Sequence, residues 1–448
     1  MINIDFKNLT KIHFIGIGGV SMSSLAQIMH DNGYIVTGSD NSVSDTVAKL
    51  ISKGITVFEG QSADNISDYD LVVYTAAIHN DNPELARARA LGINCVERSV
   101  FLGSLLSDYN NRIGVCGTHG KTTTTSMLAL IFLATEMKPT VLIGGTLPDI
   151  KSNFVSGSKK CIVFESCEYV DSFLHFPTDL PVVLNIEEDH LDYFKDINAI
   201  KASFSKYVSQ AQKAVFNIDC KYTNDVKNDY CGTPITVSLK DSCANYYASE
   251  INAEGYPTFN VYENGNLLGN ITLSVPGIHN VYNAMCAVAA ARTYNIDFEI
   301  IKTAIERFGG ARRRFEKINS DKPFTIIDDY AHHPSEIKAT LTSAQSICKG
   351  TLYCIFQPHT YTRTAALLDD FICSLSLADQ TILVDIYSAR ETNEIGIHSQ
   401  NISDKIDGAI YAKSFEDAAL HILRNAKEND VVITMGAGNV YKIADLIK

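Results

Sequence analysis

Short apolar runs alternate with amphipathic stretches along most of the chain. The first apolar run, 11–15, leads into a glycine turn, and residues 20–30 then carry Met22, Leu25 and Met29 at helical spacing. Alternation of strands with helices predicts a parallel, Rossmann-like α/β sheet. Further strands of this sheet are predicted at 34–39, 54–58, 70–75 and 93–96, with a helix at 83–91.

A glycine-rich turn stands between an apolar run at 113–116 and a helical pattern at 124–134. Strand, glycine turn and helix form a phosphate-binding geometry, because backbone N–H groups and the helix N-terminus converge on an anion. Lys121 supplies a cation for a triphosphate, and Thr122 supplies a hydroxyl for Mg²⁺. A structural turn is the alternative, because the first glycine of the usual consensus would fall on Val115. The predicted nucleotide-binding residues are Gly117, Thr118, His119, Gly120, Lys121, Thr122 and Thr123.

The α/β alternation returns after this turn and again near the C-terminus. Between these regions, strand-like residues dominate 214–274, with a hairpin turn predicted at Asn264-Gly265. We therefore predict an α/β protein with three domains. These are a Rossmann-like parallel sheet at 1–107, a central P-loop ATPase-type domain with an antiparallel extension at 108–311, and a C-terminal Rossmann-like domain at 312–448. The strands and helices on which the last two domains rest are 160–165, 181–186, 324–328, 334–346, 351–356, 364–377, 381–385 and 431–435.

The glycine turn of the first domain is similar to a dinucleotide-binding fingerprint, although Ser21 replaces its third glycine. Asp40 ends the second strand, where an acidic side chain meets a ribose or a base in such folds. Nucleotide binding is favoured, and close packing of strand against helix is the alternative. The predicted binding residues of the turn are Gly16, Gly18 and Gly19.

Polar side chains follow two strands of the middle domain. Glu165 ends the run at 160–165, and His190 follows the run at 181–186. Both are expected beside Thr122, because ligands gather at the carboxyl ends of parallel strands. A hydroxyl, a carboxylate and an imidazole can complete the coordination of Mg²⁺, although this ion prefers oxygen ligands. For His190 alone, a core or helix-start histidine is the alternative.

The strand ends of the third domain carry a second polar cluster. A metal site formed by His332 and His333 is disfavoured, because adjacent side chains point apart. Three arginines at 312–314 precede the cluster and, taken alone, favour a solvated charge run. The cluster comprises Asp329, Tyr330, His332, His359 and Arg363.

The composition limits the partners. A net charge of −13 argues against nucleic acid as the main partner, because phosphate neutralisation needs a basic face. The 448 residues contain no apolar run of membrane length, so no membrane association is expected. Eleven cysteines without a C-x-x-C motif fit reduced thiols and a cytoplasmic location.

Three strand-end ligand faces and one phosphate loop suggest a synthetase that brings together a nucleotide-linked substrate, ATP and a small third substrate. The sequence resembles the Mur ligase family over essentially its whole length. The resemblance rests on motifs in the family's order, namely 16–19, 117–125, Glu165, Asp189-His190, His279-Asn280 with Asn283, 313–315, 328–334 and 356–364.

The resemblance implies a division of labour among the domains. The first domain would bind the UDP part of UDP-N-acetylmuramate, the middle one ATP and two Mg²⁺ ions, and the third would clamp the nucleotide and position L-alanine. It also implies that Lys121 contacts the β- and γ-phosphates, that Thr122 and Glu165 bind one Mg²⁺, and that His190 binds the second. The other implied contacts are His279, Asn280 and Asn283 with adenine, Arg313, Arg314 and Asp329 with the nucleotide, and Tyr330, His332, His359 and Arg363 with alanine.

The reaction implied is formation of an amide through an acyl phosphate, for which positioning and charge neutralisation matter more than a covalent nucleophile. A monomer or a homodimer is expected. Two positions depart from the family pattern: Cys167 stands where many members have aspartate, and Thr360 stands where some have a basic residue. The residues expected to take part directly are Lys121, Glu165, His190, His359 and Arg363.

Two other functions stay open at this stage. One is a recycling ligase that joins a whole tripeptide to the same sugar nucleotide, since it shares the phosphate loop and the motif at 328–334. The other is a non-catalytic, nucleotide-binding regulatory protein on the same fold. Retention of Lys121, Glu165 and His190 argues against a degenerate site.

Overall fold

The computed structural model describes residues 4–190, 193–389 and 391–448. The chain has a three-domain α/β fold with one mainly parallel sheet in each domain, as predicted. Contacts between Cα atoms divide it into two compact units, Met1–Tyr247 with Met285–Ile301, and Ala248–Ala284 with Lys302–Lys448. Across the described residues, every helix is too short or too polar to cross a membrane. The predicted domain limits, 107/108 and 311/312, stay a prediction.

The first sheet has five parallel strands in the order β3-β2-β1-β4-β5. Ile15 pairs with Ser39, so β1 and β2 end side by side and bring the glycine turn next to Asp40. Phe14, Leu25 and other apolar side chains of this alternation form the core between sheet and helices. The elements are β1 (Lys11–Ile15), α1 (Val20–Asp31), β2 (Ile35–Asp40), α2 (Asp45–Ser52), β3 (Thr56–Glu59), β4 (Leu71–Tyr74), α3 (Pro83–Ala90), β5 (Asn94–Glu97) and α4 (Arg98–Leu106).

The middle domain contains the sheet with the most strands. Its elements are β6 (Arg112–Cys116), α5 (Lys121–Leu133), β7 (Thr140–Leu147), β8 (Ser152–Val155), β9 (Ile162–Glu165), β10 (Leu180–Val183), α6 (Ile197–Val208), β11 (Lys213–Asn217), α7 (Lys221–Asn228), β12 (Thr233–Ser238), β13 (Tyr246–Asn252), β14 (Thr258–Glu263), β15 (Asn266–Thr272), α8 (Ile278–Arg292) and α9 (Phe298–Arg307).

Strand β6 lies between β10 and β9, and it is parallel to both. The segments that follow these three strands therefore meet at one edge, which is where the sequence placed the phosphate loop, Glu165 and His190. Antiparallel pairing occurs at β7–β8 and at the hairpin β14–β15. The predicted hairpin turn is confirmed: Asn264 and Gly265 have φ angles of 48° and 81°, as a tight two-residue turn requires.

The third sheet has the order β16-β17-β21-β18-β19-β20, with β16 antiparallel to β17 and the other pairs parallel. Its core lies on both faces and includes Ile327, Phe356 and Ile433 on one side and Ile355 and Val432 on the other. The elements are β16 (Glu316–Ile318), β17 (Thr325–Asp329), α10 (Pro334–Gln345), β18 (Leu352–Phe356), α11 (Tyr361–Ala366), α12 (Leu368–Leu375), β19 (Gln380–Leu383), α13 (Gln400–Ser403), β20 (Ile410–Tyr411), α14 (Phe415–Asn425), β21 (Val431–Met435) and α15 (Lys442–Ile447).

Some predicted element bounds were wrong. The helix predicted at 364–377 is two helices, α11 and α12, which break at Leu367 with a φ of −114°. The helix after the phosphate loop begins at Lys121 instead of 124, because Gly120 in a left-handed conformation starts it directly. The short strands β8, β16 and β20 were missed, since strands of two to four residues carry too little periodicity to detect.

Candidate active site

The phosphate loop depends on two backbone conformations that favour glycine. Gly117 and Gly120 have φ angles of 140° and 84°. A Cβ atom at Gly117 would also lie 3.0 Å from the backbone oxygen of Asn185. A side chain at either position is therefore strained, and the loop can curl as a phosphate-binding turn requires.

The loop is held by the segment that follows β10. The Thr118 N–H donates to the Asn185 backbone oxygen at 3.0 Å, and the His119 N–H donates to the Asn185 side-chain oxygen at 2.8 Å. The Asn185 amide donates back to the His119 oxygen at 3.0 Å, and the Glu187 N–H donates to the Thr118 hydroxyl at 2.9 Å. These bonds order the loop in advance of any ligand, which lowers the entropy cost of binding one.

Lys121 starts α5 and folds back over its own loop. Its Nζ donates to the Gly117 oxygen at 2.5 Å and to the Thr118 oxygen at 3.2 Å. It also forms an ion pair with Glu168, at 3.2 and 3.4 Å from the two carboxylate oxygens. Burial lowers the pKa of Lys121, but the negative charge of Glu168 outweighs it and the pKa lies above its ordinary value. The lysine is therefore cationic at neutral pH.

Glu165 and His190 lie at the same edge as the phosphate loop. Glu165 is positioned by Gly144, whose N–H donates to Oε1 at 2.5 Å, and a Cβ at Gly144 would lie only 2.5 Å from Oε2. The His190 ring packs on Tyr169 with a centroid distance of 4.6 Å.

Glu168 is a site residue that the sequence reasoning missed. Its side chain is buried, with a relative exposure of 2% for the residue, although it carries a carboxylate. Besides its ion pair with Lys121, its Oε1 lies 4.0 Å from His190 Nε2. The available signal was a second acidic residue three positions after Glu165 in the same strand-end loop.

These residues fit a Mg²⁺-nucleotide. The site offers a hydroxyl from Thr122, carboxylates from Glu165 and Glu168, and a cation from Lys121, which match the oxygen preference of Mg²⁺ and the charge of a triphosphate. The 13-residue helix α5 directs its N-terminus at the loop and adds its dipole to the attraction.

The first glycine turn is supported by β2. The N–H groups of Gly16 and Ile17 donate to the Ser39 oxygen at 2.8 and 2.9 Å, and the Gly18 N–H donates to Asp40 Oδ2 at 2.8 Å. Asp40 thus holds the turn, and its predicted contact with a ribose or a base stays a prediction. Ser21 stands where the fingerprint has glycine, and its hydroxyl oxygen accepts a hydrogen bond from the Arg98 guanidinium at 3.3 Å.

A buried polar network lies under this turn. Glu84, at the start of α3, is fully buried and accepts hydrogen bonds from Ser39 at 2.5 Å and Asn65 at 2.6 Å. The buried ring of His13 lies 3.8 Å from the same carboxylate and forms a hydrogen-bonding contact of 2.8 Å with Thr37. Ser39 therefore links Glu84 to the backbone that carries the glycine turn.

The three residues predicted to contact adenine belong to the start of α8. Asn280 and Asn283 are each 5% exposed. The Asn280 amide donates to the Pro276 oxygen at 2.7 Å, and the Asn283 amide donates to the Asn280 side chain at 3.1 Å. Their roles, and that of His279, stay predictions.

The two predicted arginines of the third domain differ in their surroundings. Arg313 lies between the rings of Tyr330 and Tyr441, at 4.9 and 4.6 Å from their centroids, and its guanidinium contacts Asp328 at 3.2 Å and the Gly436 oxygen at 2.6 Å. These contacts tie it into the domain. Arg314 is less tightly held, 3.9 Å from Glu336 and 5.1 Å from the Tyr330 ring centroid.

Asp329 ends β17 and accepts two backbone hydrogen bonds at 2.7 Å, from Phe315 and Ala331. Burial raises the pKa of Asp329 to about 6, and the nearby Arg314 opposes that rise. The carboxylate therefore holds the backbone at Phe315 and at Ala331, and any direct contact with a nucleotide stays a prediction.

The predicted alanine-side histidines lie together in the third domain. The rings of His332 and His359 have centroids 5.8 Å apart, and His359 also stacks on Tyr387. Burial lowers the pKa of His359 to about 4, and Arg363 and the protonated form of His332 add to the effect. Burial also lowers the pKa of His332. Both rings are thus neutral at pH 7, so they suit accepting a hydrogen bond from an amine.

The segment between His359 and Arg363 has an unusual backbone. Thr360 has a φ of 65°, in the region that favours glycine, and the Glu391 carboxylate accepts the N–H groups of Tyr361 and Thr362 at 2.6 and 3.0 Å. Glu391 therefore caps α11, which carries Arg363. This placement brings the positive charge of Arg363 close enough to His332 and His359 to lower the pKa of both rings.

A phosphate loop with a buried lysine–carboxylate pair, on the central sheet of a three-domain α/β chain, defines a phosphate-loop enzyme that acts on a nucleoside triphosphate. Family profiles match along the chain: the Mur ligase family catalytic domain at 11–110, the Mur ligase middle domain at 115–291, and the Mur ligase glutamate ligase domain at 313–438. The chain belongs to the Mur ligase family.

Similar proteins extend over the full length. A UDP-N-acetylmuramate–L-alanine ligase of Agathobacter rectalis is 46% identical over 100% of both chains, and one of Acetivibrio thermocellus is 45% identical over 99% of this chain and 96% of its own. Among solved structures, a UDP-N-acetylmuramate–alanine ligase of Thermotoga maritima is 29% identical over 98% of both chains, with a TM-score of 0.84. A murein peptide ligase of Psychrobacter arcticus is 27% identical over 98% of both chains, with a TM-score of 0.72.

Proposed function

We propose that this protein joins L-alanine to the lactyl carboxylate of UDP-N-acetylmuramate, with ATP converted to ADP and phosphate. The observation that carries the proposal is full-length similarity to L-alanine ligases at 45% and 46% identity, together with an intact phosphate loop in which Lys121 is held as a cation. The reaction is a step of peptidoglycan precursor synthesis.

The phosphate loop would bind the triphosphate. Lys121 would leave Gly117 and Thr118 and donate to the β- and γ-phosphates, while the loop N–H groups bind the remaining oxygens. Thr122, Glu165 and His190 would hold two Mg²⁺ ions, which supply charge neutralisation at the transferring phosphoryl group when bound. Asn185 would keep the loop in register with this donor set.

The chemistry has two steps. An oxygen of the lactyl carboxylate attacks the γ-phosphorus, the bond to ADP breaks, and an acyl phosphate forms. The amine of L-alanine then attacks the acyl carbon, phosphate leaves with the C–O electron pair, and the proton lost by the amine ends on the departing phosphate. His359 and His332, neutral at pH 7, would accept hydrogen bonds from the amine, and Arg363 would bind the alanine carboxylate in a bidentate fork.

The remaining assignments follow the domains. The turn at 16–19 with Asp40 would bind the UDP part, and His279, Asn280 and Asn283 would contact adenine. Arg313, Arg314, Asp329 and Tyr330 would complete the third-domain side. A monomer or a homodimer acting in the cytoplasm is part of the same proposal.

Of the alternatives, the tripeptide ligase is less favoured, because the Psychrobacter arcticus murein peptide ligase is structurally less similar than the Thermotoga maritima alanine ligase, at TM-scores of 0.72 and 0.84. A non-catalytic regulator is not favoured either, because the charged residues of the phosphate site are retained.

One assay tests the proposal. The protein is incubated with UDP-N-acetylmuramate, ATP, Mg²⁺ and either L-alanine or the tripeptide, and the coupled product is identified by mass. We expect product with L-alanine. Product with the tripeptide alone, or with neither, would overturn the proposal.

The variant Lys121→Ala tests the role of the phosphate site. We expect it to lower turnover at least about 100-fold, because a preorganised charge facing the transferring phosphoryl group is lost. Near-normal turnover in a folded variant would contradict the role given to Lys121.

A further inference from the structure

Glu168 presents a problem of charge that the proposed reaction does not explain. Its carboxylate lies within 3.4 Å of Lys121 Nζ at both oxygens and 4.0 Å from His190 Nε2, and the residue is 2% exposed. A carboxylate this deeply buried requires a cationic partner, because transfer of an unpaired charge out of water is strongly unfavourable. Lys121 is that partner in this structure.

A nucleotide would disturb this pair. Lys121 donates to Gly117 and Thr118 of the phosphate loop, so its ammonium already lies where a triphosphate would be bound. A bound phosphate would share or remove the ammonium, and it would bring further negative charge close to Glu168. Two anions facing one buried cation repel each other, so the site then lacks one positive charge.

The neighbours of Glu168 show what can supply that charge. Thr122 and Glu165 offer oxygen ligands at the same sheet edge, and His190 approaches Glu168 itself. A divalent cation beside a carboxylate and phosphate oxygens has the ligand chemistry of Mg²⁺.

We propose that Glu168 exchanges its cation: it pairs with Lys121 in the nucleotide-free protein and with Mg²⁺ once a nucleotide has taken Lys121. The exchange makes nucleotide binding depend on Mg²⁺, because without the ion the phosphates must compete with Glu168 for one lysine. Between turnovers, the ion pair with Glu168 balances the positive charge of Lys121 and keeps its side chain ordered. The inference rests on the proposed function only in requiring that the phosphate loop binds a nucleotide.

The test compares ADP binding with and without Mg²⁺, measured by titration calorimetry with no sugar nucleotide or amino acid present. The quantity of interest is the ratio of the Kd without Mg²⁺ to the Kd with Mg²⁺. In Glu168→Gln we expect ADP to bind more tightly without the ion and this ratio to fall at least about tenfold, which corresponds to about 1.4 kcal/mol.

A matched control is Glu188→Gln. Glu188 is an exposed carboxylate two residues before His190, so the variant removes the same charge from the neighbourhood without touching the pair with Lys121. Its ratio should stay at the wild-type value. A drop as large as that of Glu168→Gln would overturn the exchange in favour of a general effect of net charge.

Direct observation of the metal uses Mn²⁺ as a paramagnetic substitute for Mg²⁺. Enhancement of water-proton relaxation reports the Mn²⁺ bound to the protein–ADP complex. We expect Glu168→Gln to raise the Kd of Mn²⁺ in that complex about tenfold. An unchanged Mn²⁺ affinity would overturn the metal-bound half of the exchange.

Folding is checked by circular dichroism and the thermal midpoint. If Glu168→Gln does not fold, Glu168→Asp keeps the charge but withdraws it by one methylene, and a fall of about threefold in the ratio is expected. A ratio equal to wild type in a folded variant, including equal weakening with and without Mg²⁺, would overturn the proposal. Failure of the unaltered protein to bind ADP at all would instead overturn the proposed function.

Discussion

The role proposed for Arg363 is to select the third substrate by its carboxylate. It lies on a helix capped by Glu391, and its charge acts on His332 and His359. We expect Arg363→Lys, which keeps the charge but loses the bidentate fork, to raise the KM for L-alanine about tenfold or more. Steady-state kinetics with each substrate varied in turn give the three KM values. If the KM for ATP rises and that for L-alanine does not, Arg363 faces the nucleotide instead.

Glu84 is a buried charge whose contribution to stability depends on pH. Burial raises the pKa of Glu84, but the contacts with His13, Ser39 and Asn65 together lower it by more than burial raises it. The pKa of Glu84 therefore lies below its ordinary value. A carboxylate with a depressed folded-state pKa stabilises the fold above its unfolded pKa, and this contribution is lost as pH falls through the folded pKa. Glu84→Gln should therefore lower the thermal midpoint at pH 7, with a smaller difference from wild type below about pH 4.

The matched control for that measurement is Glu59→Gln, which alters an exposed carboxylate at the end of β3 in the first sheet. It should leave the midpoint nearly unchanged at both pH values, since exposed substitutions usually have small effects. A constant difference between wild type and Glu84→Gln across the pH range would show that the hydrogen bonds, and not the charge of Glu84, carry the effect.

At the scale of elements, the phosphate loop and the segment after β10 act together. Asn185 binds the backbone of His119 with two hydrogen bonds, at 2.8 and 3.0 Å. Asn185→Ala should leave the sheet intact but free the loop, so we expect the Kd for ADP with Mg²⁺ to rise about tenfold, from two bonds of about 0.5–1.5 kcal/mol each. Calorimetry measures the Kd. Normal affinity for ADP in the variant would show that the loop keeps its shape without these two hydrogen bonds.

The element scale also explains most of the errors in the sequence-based prediction. Strands β1, β6 and β17 were found because each has apolar residues among its five positions, is buried at four of them, and ends at a polar or glycine turn. Strands β8, β16 and β20 were missed because they pair only at an edge, over two to four residues, and such pairing depends on a distant partner.

At the scale of the whole molecule, the reaction needs all three substrates. Phosphoryl transfer is useful only when the lactyl carboxylate is bound, so we expect ATP consumption to depend on UDP-N-acetylmuramate. A coupled ADP assay with each substrate omitted in turn measures this dependence. Rapid ATP hydrolysis by the protein alone, unaffected by the sugar nucleotide, would contradict the proposed order of events.

Three α/β domains, the phosphate loop and the residue types at the strand ends could all be predicted from the sequence alone. Those features are local, because a strand, a glycine turn and a helix are each encoded by consecutive residues. Parallel strands then place their carboxyl ends at one edge of the sheet. The pairing of polar groups, by contrast, depends on the tertiary structure. Lys121 and Glu168 lie 47 positions apart, and His119 and Asn185 lie 66 apart. Such partners are chosen by the packing of separate strands, and so are the pKa shifts that burial imposes on them.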